Sequence, residues 1–297
     1  MLRIIADSTC DISKEDARKM GIQIVPISVR FRDEEFLDGV EITHEEFYTR
    51  LAECDELPKT SQPSPDTFMK VFNEAVADGD DVLGIFISSD LSGTYQSACL
   101  AASDVEDETG KKLYMVDSRS ASIGTALLIR EAVKLRDAGV NVSDIAAACT
   151  EMSKYIKLTA VVGSLKYLKM GGRLSGAAAF AGTMLHITPV VSIEDGKVVV
   201  IGKTRGKKAA EKLMHDKLTE DGLSLTRDFM FGHINCSESL ETFINKSLTY
   251  ISDVNGNVGV SSIGCSVGTH VGPGTYGIAY VEAAESGMNR ESIVKTA

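Results

Sequence analysis

Through the first half of the chain, short apolar runs alternate with longer amphipathic stretches. Leu2 to Ala6, Ile22 to Val29, Val82 to Ile87 and Leu113 to Val116 read as strands. Ser64 to Ala77, Gly93 to Ser103, Ile123 to Ala138 and Val142 to Lys154 read as helices. Strands that alternate with helices pack as a parallel sheet covered on both faces, so a three-layer α/β domain is expected. Helix starts carry their own chemistry: Ser13 stands three residues before Asp16, Ser64 follows Pro63, and Ser143-Asp144 opens the segment to Tyr155.

After Lys157 the pattern changes. Leu158 to Val162, Val190 to Ile193, Val198 to Ile201, Phe229 to Ile234, Val258 to Ile263 and Tyr276 to Val281 read as strands, several of them joined by turn signals such as Glu194-Asp195-Gly196. A second, mixed-sheet α/β domain is expected, with domains at 1–160 and 161–297. No repeat or low-complexity linker separates the halves, which places a ligand in the cleft between them.

Composition removes several function classes. The 297 residues carry a net charge of −11 without a basic cluster interleaved with aromatics, which argues against nucleic acid. Six cysteines are scattered singly and read as buried thiols in a reducing cytosol. The N-terminal apolar run is too short for a signal sequence. The weakly polar stretch from Gly176 to Val191 is broken by His186 and Pro189 and is shorter than the ~20 residues of a membrane span. A cytoplasmic protein without an integral membrane segment is expected.

Three stretches rich in hydroxyls and glycine carry the functional signal: Thr60-Ser61-Gln62-Pro63-Ser64, Ser88-Ser89-Asp90-Leu91-Ser92-Gly93-Thr94, and Gly268-Thr269-His270-Val271-Gly272-Pro273-Gly274. Small hydroxyls, helix N-terminal amides and one imidazole can hold a carboxylate or phosphate without a metal. Thr60, Ser61, Ser92, Gly93, Thr94 and His270 are therefore the candidate ligand-binding residues, and no catalytic residue, cofactor or metal is expected.

Other motif matches lose on their surroundings. Gly264-Cys265-Ser266-Val267-Gly268 fits a nucleophile elbow, but an elbow needs a helix after its serine, and Gly272-Pro273-Gly274 is expected to forbid one. Gly272 to Gly277 fits a dinucleotide fingerprint yet leads into a strand, and Gly196 to Thr204 is one residue too long for a phosphate-binding loop. Asp253 to Asn257 lacks the later ligands of a calcium loop and reads as a hairpin turn. His44, His186, His215, His233 and His270 show no ligand spacing. Asp7-Ser8-Thr9 lacks the second acid of an aspartyl phosphatase and reads as a cap. Arg173 and Arg205 are positive charges for a phosphate or acidic partner at a cleft rim.

In order along the chain, Asp7-Ser8-Thr9, Thr60 to Ser64, Leu91 to Tyr95, Val116-Asp117-Ser118, Leu165 to Arg173 and Gly268 to Gly274 resemble the DegV family. Met170 and Leu174 depart from common family choices without touching the six motifs. The resemblance implies two α/β domains with a long-chain fatty acid buried between them. Its carboxylate would be offered to a separate ATP-dependent fatty acid kinase subunit that makes the acyl phosphate, with transient membrane-surface contact compatible. The small and apolar residues Ala177 to Ala181 and Met184 are candidates for the tunnel wall. Two rivals stand beside this reading: an enzyme on a small phosphorylated metabolite using Asp7 or Ser266, and a carrier of another amphiphilic acid.

Overall fold

The computed structural model describes residues 1–176, 187–224, 226–250 and 255–283. In chain order these hold β1 (Leu2–Asp7), α1 (Lys14–Met20), β2 (Ile22–Val25), β3 (Ser28–Phe31), β4 (Glu34–Leu37), α2 (His44–Glu53), β5 (Lys59–Ser61), α3 (Pro65–Ala77), β6 (Asp81–Phe86), α4 (Thr94–Thr109), β7 (Tyr114–Asp117), α5 (Ile123–Asp137) and α6 (Val142–Met152). There follow β8 (Ile156–Val161), α7 (Leu165–Met170), β9 (Thr188–Glu194), β10 (Lys197–Thr204), α8 (Lys207–Asp221), β11 (Phe229–His233), α9 (Ser237–Ser247), β12 (Val258–Ser262), α10 (Cys265–Val271) and β13 (Tyr276–Val281).

The first sheet is parallel throughout, in the order β2-β1-β6-β7. Alternate side chains serve opposite faces. Ile4, Ala6, Leu83 and Ile85 pack with α5 and α6, whereas Ile5, Val82 and Phe86 pack with α3 and α4. The expected three layers are present, and burial on both faces is why these strands read as unbroken apolar runs. Ser13 and Ser64 cap α1 and α3 through the Asp16 and Thr67 amides, at 3.0 and 3.2 Å. The cap of α6 is Asn141, two residues before Ser143, with Asp144 N–H donating to its side chain at 3.0 Å.

The run from Ile22 to Val29 is two strands. Pro26 has no N–H for a ladder, so the chain leaves the parallel sheet after β2. It restarts as β3 in a separate antiparallel sheet of order β4-β3-β5, beside α2. That small sheet carries Thr60 and Ser61 on β5.

The second sheet runs β10-β9-β8-β13-β11-β12 and is antiparallel except between β11 and β12. Asp195 and Gly196, both at positive φ, close the β9–β10 hairpin as the sequence signal requires. The stretch at 255–257 is not a hairpin turn: it enters β12, which lies parallel to β11 and is reached through α9. Residues 253 and 254 of that expected turn lie outside the described residues. Phe231, Tyr276 and Tyr280 face α8 and α9, while Met230 and Ala279 face α5. Helix α5 is thus wedged between the two sheets, which explains why it is buried on nearly every side.

Candidate functional site

A cavity of about 1100 Å³, its mouth included, opens between the sheets. Its floor is the inner face of the second sheet, where Leu158, Ala160 and Val162 of the β8 segment stand beside Val191 and Ile193 of β9. Gly232 and Gly277 on neighbouring strands contribute no side chain and leave room. Ile27, Ile87 and Leu91 of the first domain also line it. A concave, mostly apolar space with a few convergent polar groups suits a small amphiphile.

The polar lining gathers through a chain of contacts. Thr60 Oγ1 lies 3.0 Å from His270 Nε2. The other ring nitrogen of His270 packs on Gly171, where a β-carbon would stand only 2.3 Å away. Arg173 donates from Nη1 to the Gly171 carbonyl at 2.7 Å and from Nε to the Leu91 carbonyl at 3.1 Å. Beside Leu91, the Ser92 hydroxyl is 2.8 Å from that of Thr94, the first residue of α4. A β-carbon at Gly93 would meet the Gln62 amide oxygen at 2.2 Å, so a larger residue there would have to displace the Gln62 side chain. Thr60, Gln62, Ser92, Arg173 and His270 all line the cavity.

The other sequence candidates take different places. Ser61 follows Thr60 along β5 and is exposed, as strand alternation demands, and it does not line the cavity. Thr94 is fully buried behind Ser92. Arg205 is exposed after β10, away from the lining. Gln62 and the floor of β8 and β9 were not singled out from sequence, although Gln62 sits inside a stretch that was. Residues 177–184, expected in the tunnel wall, lie outside the described residues.

Electrostatically this end suits an anion. Arg173 supplies a half-buried cation, and α4 starts at Thr94, beside Ser92, with the positive end of its dipole at this end of the cavity. Burial, and then the positive charge of Arg173, push His270 down to about 4, so its ring is neutral at pH 7. A histidine with a depressed folded value resists protonation in the native state only. Its contribution is intact above the unfolded value of about 6.5 and is lost as pH falls towards 4, by about 3 kcal/mol. Urea denaturation at pH 7 and pH 4 should therefore show wild type losing about 3 kcal/mol more than His270→Asn over that interval. Equal losses would mean that the ring titrates normally.

The nucleophile readings meet a correction. A helix does follow Gly264: α10 spans Cys265–Val271, and Gly272, at φ 76°, ends it rather than preventing it. Ser266 lines the cavity with a buried hydroxyl that lacks a partner among the described residues. Yet no hydrogen bond joins Ser266 to His270: Nε2 lies against Thr60, and Nδ1, beside Gly171, has no partner among the described residues, so the pair is not assembled as nucleophile and base. Asp7 is buried and caps the turn Ser8–Cys10, accepting from the Thr9 and Ile87 amides at 2.9 Å each. Burial raises its carboxyl above the usual range.

Two sheets enclosing an apolar cavity with a hydroxyl, imidazole and guanidinium end define a ligand-holding class. The sequence matches the DegV family, described as uncharacterised, over residues 1–283, and the chain belongs to that family. A DegV domain-containing protein from Clostridium perfringens is 34% identical over 290 residues, covering 95% of this chain and 98% of its own. A fatty-acid-binding DegV family protein from Thermus thermophilus is 31% identical with a TM-score of 0.84, covering 94% of this chain and 99% of its own. A stearic-acid-binding protein from Eubacterium ventriosum is 29% identical with a TM-score of 0.85, covering 96% and 100%. Among the described residues no helix is long and apolar enough to cross a membrane.

Proposed function

We propose that this chain is a carrier that buries the tail of a long-chain fatty acid in the interdomain cavity and holds its carboxylate at Thr60, Ser92, Arg173 and His270. The observation that carries the reading is the gradient within one cavity, apolar along β8 and β9 and polar where the three hydroxyl-rich stretches meet. Burial contributes ~0.8 kcal/mol per methylene, so about sixteen carbons gain on the order of 10 kcal/mol before association costs. Ser92→Ala removes a hydrogen bond to a charged group, which costs roughly 1.5–3 kcal/mol and should weaken oleate binding about 10- to 100-fold. Unchanged affinity would remove Ser92 from the carboxylate socket.

Arg173 lines the cavity and is assigned to the carboxylate, whereas exposed Arg205 is assigned to the surface that meets an ATP-dependent kinase subunit. The carrier itself has no phosphotransfer role, since a hydroxyl and imidazole socket holds a carboxylate without activating it. Native mass spectrometry of the purified protein should find one retained fatty acid; another amphiphilic acid, or an empty chain, would redirect the assignment. With ATP, magnesium and oleate, the isolated chain should yield no ADP above background, and added kinase subunit should produce it. Arg205→Ala should slow that production with oleate affinity unchanged. Turnover by the isolated chain that Asp7→Ala or Ser266→Ala abolished would favour the metabolite enzyme instead.

A further inference from the structure

Outside the cavity, three metal-ligating side chains distant in sequence come together. Asp38 lies just after β4, His44 is the first residue of α2, and Cys265 is the first residue of α10. One ligand atom from each lies within 4.8 Å of the other two. Single-residue spacing hid this group, because the chain returns to it only after more than two hundred residues.

We propose that Asp38, His44 and Cys265 form a binding site for a divalent transition ion of the zinc or cobalt kind, independent of the fatty acid cavity. One carboxylate oxygen, one imidazole nitrogen and one thiolate, with a fourth position left to water, is a donor set that such ions accept in tetrahedral geometry. Bonds of about 2.0–2.3 Å to a shared ion require these atoms to close by roughly 1 Å, within reach of the half-buried His44 side chain.

The surroundings are built for it. Gly264 leaves a space open: a β-carbon there would stand 3.1 Å from His44 Nε2, 3.4 Å from Asp38 Oδ1 and 3.0 Å from Asp11 Oδ1. Asp38 is held by the Ser8 hydroxyl at 3.2 Å and the Cys265 and Ser266 amides at 3.1 and 3.0 Å. Those three bonds orient the carboxylate and leave it lone-pair capacity for an ion. Asp11, fixed by the Ser122 hydroxyl at 2.5 Å and the Gly264 amide at 2.8 Å, adds a second acidic group beside the same point. A groove lined by Ser8, Asp11, Asp38, Gly39, His44 and Ser262 opens beside two of the three ligands. On binding, the sulfur–metal bond forms as the Cys265 thiol releases its proton to solvent. The ion would join α2 to the start of α10, the helix that carries His270.

The full-length chain, stripped with a chelator and titrated with Co²⁺, should bind one ion with a thiolate-to-cobalt charge-transfer band in the near ultraviolet. Cys265→Ser should abolish the band, and His44→Ala should weaken binding at least tenfold while leaving oleate affinity unchanged. Absence of saturable binding, a band that survives Cys265→Ser, or cobalt affinity unchanged in His44→Ala would overturn the site. Zinc should compete for the same position, and failure to displace cobalt would also count against it.

Discussion

Ala160→Phe is expected to give a folded protein that no longer retains long acyl chains. Ala160 lies on the cavity floor between Leu158 and Val162, where its small side chain, with Gly232 and Gly277, makes the space. A phenyl ring there occupies the room of about four methylenes, each worth ~0.8 kcal/mol, so stearate should lose roughly 3 kcal/mol, about 100-fold in affinity. The ring enters a cavity rather than a packed core, which limits the overpacking penalty. An eight-carbon acid, short enough to stop before the obstruction, should bind nearly as before. Titration across acids of increasing length separates the two ideas: a uniform loss would point to a damaged carboxylate socket, and no loss would place the tail elsewhere.

The parts of the fold that could be read from sequence are those in which local pattern and tertiary environment agree. β1 and β6 are buried on both faces, so each is an apolar run of strand length, and the helices between them bring their own caps. The small sheet could not be read this way. Glu34-Glu35 and Lys59-Thr60-Ser61 are polar and short, and they are strands because β3 supplies partners on both sides. Helix α10 was hidden for a related reason. Glycines at 264, 268 and 272 argue against a helix, and its first two amides are satisfied by the Asp38 carboxylate, 227 residues from Cys265.

The site divides along the same line. Its chemistry was legible, since hydroxyls next to glycines and one histidine announce an anion socket. Its membership was not. Arg173 reaches the cavity because the Leu91 and Gly171 carbonyls fix its guanidinium, which is a tertiary fact. Which face of β8 and β9 borders the cavity was equally unreadable, because both faces carry buried small or apolar residues.

Phe68→Ala should be the most destabilising of these substitutions, and its effect should reach the socket. Phe68 is fully buried on α3, stacked on Phe72 at 5.8 Å and meeting Phe86 of β6 edge-on at 5.2 Å. Truncation to alanine costs about 3–5 kcal/mol through lost transfer energy and the cavity left behind. At roughly 2–4 °C per kcal/mol for a protein of this size class, Tm should fall by about 10 °C, read from a thermal melt. The layer it anchors also holds the ligand end in place: α3 begins at Pro65, three residues after Gln62, α4 begins at Thr94, two after Ser92, and Gln62 Nε2 donates to Ser97 of α4 at 2.8 Å. Ligand that binds only the ordered layer must then restore stability by mass action, about 2.7 kcal/mol at a hundred times Kd. Saturating oleate should therefore recover a large part of the lost Tm. A variant that melts low and gains nothing from oleate would mean that the α3–α4 layer and the carboxylate socket are not coupled, which the Gln62–Ser97 bond alone could not then sustain.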